Sequence, residues 1–127
     1  YLIAHALKGV LGQRLFLMLC GFCKRMAPLS AYESRWVAAH GGTIATTGVP
    51  VGCKACRYTG FKGQTVVAEL WWCSGAAVAA LLQSDEATQA DFEKQACLDG
   101  MTPLIPAALP LVAAGLVPLS DLMSKEV

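Results

Sequence analysis

The residues best equipped for chemistry are four cysteines in two pairs, Cys20-Gly21-Phe22-Cys23 and Cys53-Lys54-Ala55-Cys56, with 29 residues between the pairs. A thiolate is both a nucleophile toward disulfides and a soft metal ligand, so the pattern supports two chemistries. Taken together, Cys20, Cys23, Cys53 and Cys56 have the paired spacing of a tetrathiolate zinc site, whose four sulfurs satisfy a tetrahedral ion. The insert is longer than in a usual zinc ribbon, and Cys20 follows an apolar run. Taken alone, the first pair reads as a redox dithiol: with Cys20 at a helix N-terminus, unpaired N–H groups would stabilise its thiolate. Cys73 and Cys97 complete an even count of six, which permits disulfides without fixing their pairing. Cys73 lies in an apolar stretch and reads as a small hydrophobe. His5 has two readings, a partly exposed helix histidine or an axial ligand to a bound pigment or haem.

The stretch Cys20-Gly21-Phe22-Cys23-Lys24-Arg25-Met26-Ala27-Pro28 resembles the active-site segment of the thioredoxin and protein disulfide isomerase family. The likeness runs back to the apolar Leu15–Leu19, where that family has its central strand, and forward to a helix-like stretch, Leu29 to His40. It covers about a fifth of the chain. The resemblance implies a thiol-disulfide oxidoreductase in which Cys20 is the nucleophile and Cys23 the resolving thiol. Leu19 stands where that family usually has Trp, and Pro50, the nearest stand-in for its cis-proline, comes 27 residues after Cys23.

The elements that must position these residues read as mainly α. Tyr1 to Phe22 places Leu2, Ile3, Ala6, Leu7, Val10 and Leu11 at helical spacing, an amphipathic N-terminal helix. Thr43 to Gly52, rich in Gly, Thr and Pro, reads as loop. The dominant feature is an apolar run at about residues 65–83, in which Glu69 is the one ionisable carboxylate. Its length approaches the ~20 residues that cross a bilayer, so a transmembrane helix is predicted. Trp71 and Trp72 then become interface anchors, and Gly75, Ala76, Ala79 and Ala80 a small-residue surface for helix packing. Ser84 is placed to cap a polar helix over 84–98 that ends at Asp99-Gly100. Residues 102–119 form a second apolar segment, kinked by Pro110, that could span, re-enter or strap a partner.

Charge divides the chain: residues 1–62 carry eight Lys/Arg and one acid, whereas residues 83–127 carry seven acids and two Lys. An oriented membrane span shows such asymmetry. By length the 127 residues make one domain, divided as a basic region (1–63), an apolar helix (64–83) and an acidic, Pro-rich remainder (84–127). The 55% hydrophobic content and a mean hydropathy of +0.49 point to a surface covered by lipid or by other subunits. A net charge of +1, with the basic residues and aromatics forming no evident binding stripe, argues against nucleic acid as the partner. The resulting expectation is an accessory subunit of a photosynthetic or respiratory complex. It would sit in a thylakoid or mitochondrial inner membrane after loss of a targeting segment, beside other membrane subunits and bound lipid or pigment. The oxidoreductase and a zinc-stabilised interaction module are the competing expectations.

Overall fold

The computed structural model describes residues 6–73 and 75–125, and they are mixed α and β. In chain order the elements are β1 (Gly9–Leu19), β2 (Arg25–Pro28), α1 (Ala31–Ala39), β3 (Thr46–Val49), a 3-10 turn (Lys54–Cys56) and β4 (Phe61–Trp72). Four helices follow, α2 (Ala76–Gln83), α3 (Gln89–Leu98), α4 (Leu104–Ala113) and α5 (Leu119–Ser124). Two antiparallel ribbons result, β1 with β4 and β2 with β3. In the second, Arg25 faces Val49 and Pro28 faces Thr46.

The expected mainly α fold is therefore corrected. Its transmembrane helix over 65–83 is two elements, most of β4 and then α2, separated by Gly75 at φ +89°. The split follows side-chain type: Thr65, Val66, Val67, Trp71 and Trp72 are branched or aromatic and suit a pleated strand, whereas Ala76 to Leu82 is Ala- and Leu-rich and suits a helix. Along β4, Val67 and Trp71 point inward while Val66, Leu70 and Trp72 are exposed, the alternation of a strand with one covered face. No helix among the described residues is long and apolar enough to cross a membrane. The 8 residues of α2 and the 10 of α4 extend roughly 12 and 15 Å, against a hydrocarbon core of about 30 Å.

The amphipathic N-terminal helix is overturned from Gly9 onward, because Gly9–Leu19 is the strand β1; Ala6 is helical, and residues 1–5, His5 among them, lie outside the described residues. The loop expected over 43–52 holds β3. The helix after Leu29 forms as α1, closed by a capping box in which Ser30 Oγ accepts from the Glu33 N–H and the Ser30 N–H donates to the Glu33 carboxylate. The polar helix starts later than expected, with Thr88 rather than Ser84 as its cap, and ends at Asp99. Pro110 lies inside α4, the element within the predicted 102–119 segment.

The chain forms two compact units. One comprises residues 13–67 and 104–127, and its core is Phe16, Val37, Val67, Leu109, Val112, Val117, Leu119 and Leu122, from β1, α1, β4, α4 and α5. Within it the buried Thr47 hydroxyl of β3 accepts from the Leu119 N–H at 2.9 Å, and the Leu19 N–H donates to the Leu116 carbonyl at 2.8 Å. The other unit, residues 1–12 and 68–103, packs Trp71, Cys73, Val78 and Ala96 with Leu7, Leu82, Phe92 and Met101. There the Trp71 indole N–H donates to the Asp99 carboxylate at 2.8 Å, and burial pushes the Cys73 thiol up, aided by the charge on Asp99.

Candidate metal centre

Both cysteine pairs sit where strands begin or end. Cys20 directly follows β1, and Gly21–Cys23 form a turn closed by the Lys24 N–H donating to the Cys20 carbonyl, after which β2 departs. The second pair lies between β3 and β4 in the 3-10 turn, where the N–H groups of Cys56 and Tyr58 both donate to the Cys53 carbonyl. One further bond, from the Cys20 N–H to the Gly60 carbonyl at 3.0 Å, brings the two turns together.

The four sulfur atoms consequently lie within 4.8 Å of one another. Three separations are resolved individually, Cys20–Cys53, Cys23–Cys56 and Cys53–Cys56, each 3.8 Å between Sγ atoms. A disulfide needs about 2.05 Å, so none of these is a bond. A regular tetrahedron of sulfurs at the zinc–thiolate distance of about 2.3 Å has edges of about 3.8 Å, and the sulfurs already stand at that spacing.

Backbone N–H groups point at the sulfurs as they would at thiolates. Gly52 donates to Cys23 Sγ at 3.3 Å, and Cys53 and Gly60 each donate to Cys56 Sγ at 3.2 Å. Proton affinity follows this wiring. The Phe22 N–H, the strongest influence on Cys20, outweighs burial and holds that thiol below its usual range, with help from the Cys23 N–H. At Cys56, burial acts to raise the thiol, yet the Cys53 and Gly60 N–H groups bring it down to about 6. Cys23 goes the other way: the Gly52 N–H lowers it, but burial and the sulfurs of Cys53, Cys56 and Cys20 push it to about 11. Four sulfurs this close cannot all hold negative charge without a cation among them.

The donor set fits zinc. Four soft thiolates fill a tetrahedral shell with no open position for water or substrate, the character of a structural site. Cys20 and Cys56 are buried and Cys23 and Cys53 half-buried, which limits exchange with solvent.

Three supporting residues were not singled out from the sequence. Gly60 is buried at φ +84°, its N–H on Cys56 Sγ, and a Cβ there would lie 2.5 Å from Pro50 Cβ. Gly52 has φ +114° and its N–H on Cys23 Sγ. The Thr59 hydroxyl donates to the Cys56 carbonyl at 2.7 Å and accepts from the Phe61 N–H at 3.2 Å. The available signal was glycine just before and just after the second pair.

The other predicted site residues do not converge. Trp71 is buried in a protein core and Trp72 is exposed on β4, so neither acts as an anchor of a membrane helix. Gly75 precedes α2 and Ala76, Ala79 and Ala80 lie on it, but the buried residue of that short helix is Val78. The redox reading loses its geometry: Cys20 heads a turn that leads into a strand, so there is no helix N-terminus beneath it.

Residues 1–124 match the family described as Type II/IV secretion system protein. The chain is 31% identical over 70 residues to a putative type II secretion system protein E of Escherichia coli (strain K12), covering 55% of this chain and 14% of that protein. It is 33% identical over 85 residues to the type II secretion system protein E of Pectobacterium carotovorum subsp. carotovorum, covering 67% and 17%. With the type IV pilus assembly ATPase TfpB of Acinetobacter baylyi it shares 29% identity over 125 residues, 97% of this chain and 21% of the relative. The chain thus spans about a fifth or less of the length of these relatives. These matches replace the thioredoxin resemblance, which rested on one short motif, and remove the photosynthetic or respiratory subunit. The bacterial origin of the relatives likewise removes the thylakoid or mitochondrial membrane. With 124 of its 127 residues inside the match, the chain belongs to the Type II/IV secretion system protein family.

Proposed function

We propose that this chain is the metal-bearing portion of a secretion or pilus-assembly ATPase, with one structural zinc ion held by Cys20, Cys23, Cys53 and Cys56. The observation that carries the reading is the cluster of four sulfurs at tetrahedral spacing, each pair of cysteines in its own N–H-lined turn. When bound, zinc supplies cross-linking rather than reaction chemistry, because a closed tetrathiolate shell admits no substrate. The chain's own residues do the rest. The ligands sit at the end of β1, the start of β2 and the turn between β3 and β4, so a cross-link there closes the excursion β2–α1–β3 at its base.

The chain contains no Gly-x4-Gly-Lys-Ser/Thr run, so in this reading nucleotide turnover is carried out elsewhere in the longer protein. Its partners are other proteins of the secretion or pilus system. Zinc-finger peptides gain on the order of 10 kcal/mol from the metal, comparable with the whole stability of a small domain, about 5–15 kcal/mol. Metal removal should therefore unfold this portion rather than loosen it. Metal analysis of the purified chain tests the assignment: one zinc per chain is expected, lost in Cys53→Ser. A wild-type chain purified without metal from zinc-replete cells would sink it.

A further inference from the structure

Each cysteine turn carries an exposed aromatic residue at its tip, Phe22 at 80% exposure in the first and Tyr58 at 71% just after the second. Exposed cations lie within four residues of one ring or the other along the chain, Arg25, Lys54, Arg57 and Lys62, and the Lys62 ammonium is 5.7 Å from the centre of the Phe22 ring. No acid occurs between Glu33 and Glu69. Four exposed cations exceed the −2 charge that four thiolates around a zinc ion would leave, so the tips stay positive with the site loaded.

The second tip is held in an uncommon conformation. Arg57 and Tyr58 are consecutive non-glycine residues at φ +55° and +62°. Such backbone costs on the order of 1 kcal/mol per residue and persists only where its surroundings impose it. Here the Cys53–Cys56 turn does so, through N–H bonds from Arg57 to the Lys54 carbonyl and from Tyr58 to the Cys53 carbonyl. Arg and Tyr, types enriched in binding hot spots, are thus presented exposed on a backbone that is already ordered before binding.

We propose that the two tips form one cationic–aromatic docking surface, made by Phe22, Arg25, Lys54, Arg57, Tyr58 and Lys62, for an acidic segment of a partner protein. Charge complementarity selects the acidic partner, and the exposed rings select a protein segment with apolar side chains over a free anion. The inference rests on the zinc reading for the rigidity of the tips.

The test is fluorescence anisotropy of the zinc-loaded chain with a labelled octaglutamate peptide carrying one central Phe, with zinc content measured on every sample. Arg57→Glu with Lys62→Glu should weaken binding at least tenfold, and Phe22→Ala with Tyr58→Ala several-fold, both with zinc retained. Arg14→Glu with Arg35→Glu, two exposed cations in other elements, should change it less than twofold. An equal loss in that control would make the attraction general charge and overturn the proposal. So would tighter binding to phosphatidylglycerol vesicles or a single-stranded oligonucleotide than to the peptide, or failure of the full-length protein to bind. Normal zinc with no peptide binding would sink this proposal alone, whereas absent zinc would sink the metal centre beneath it.

Discussion

Gly60 concentrates three demands on one residue: a left-handed backbone, no Cβ beside Pro50, and an N–H aimed at Cys56 Sγ. No L side chain meets the first two without strain. Gly60→Ala should cost about 2 kcal/mol or more of stability, with weaker metal retention; chemical denaturation and competition with a colorimetric chelator would measure both. An unchanged midpoint would mean that the second turn can re-form around a Cβ. Proton affinity sets a second expectation. In the metal-free, reduced chain the Cys56 thiol is depressed to about 6 from an ordinary value of 9.0. Its stabilising contribution is thus fully present above pH 9 and disappears as pH falls through 6. Cys23, raised to about 11, works oppositely, its contribution being lost as pH rises from 9 through 11. Thiolate absorbance of that chain should accordingly rise in separate steps, one near pH 6 and another near 11. A single step near 9 would show that the N–H groups do not hold the sulfurs as described.

Among the elements, β4 carries the main physical lesson. Its outward residues Val66, Leu70 and Trp72 are apolar, so the polar–apolar alternation that marks a strand is absent, and the following Ala-rich α2 prolongs the apolar run. The one fine signal was the change from β-branched and aromatic residues to alanines near Gly75. Burial of Trp71 against Asp99, 28 residues away, is a tertiary contact that no local pattern announces. Trp71→Phe keeps most of the apolar area but removes the indole N–H from the exposed Asp99 carboxylate, which still accepts from the Gln95 amide at 3.0 Å. It should lower stability by about 1 kcal/mol in urea unfolding; a loss below the error of the fit would make the ring alone responsible. Capping was more legible. Ser30 with Glu33 follows the Ser/Thr-x-x-Glu pattern and forms a complete box, and Ser30→Ala should remove about 1 kcal/mol. The cysteine pairs were legible in spacing, because a metal shell needs those residue types in that order, whereas their glycine supports depend on backbone angles that composition does not reveal.

At the scale of the whole molecule, each of the two units has its own core, and the cysteine cluster lies in the unit of residues 13–67 and 104–127. Chelation should therefore raise amide hydrogen exchange through β2, α1 and β3 far more than through α2 and α3, whose core of Trp71, Val78, Ala96 and Phe92 contains no ligand. Uniform exchange after chelation would show that the cluster is not what holds the β2–α1–β3 excursion. The charge asymmetry that suggested a membrane span is real, but here basic residues gather around the cysteine turns and acidic ones on and near α3.

What sits among the four sulfurs is read directly by X-ray absorption at the zinc edge. One zinc per chain, with four sulfur neighbours at about 2.3 Å and no lighter atom in its shell, is the predicted spectrum. A shell containing nitrogen or oxygen, iron in place of zinc, or Cys20 and Cys53 recovered as a disulfide in the native chain would contradict it.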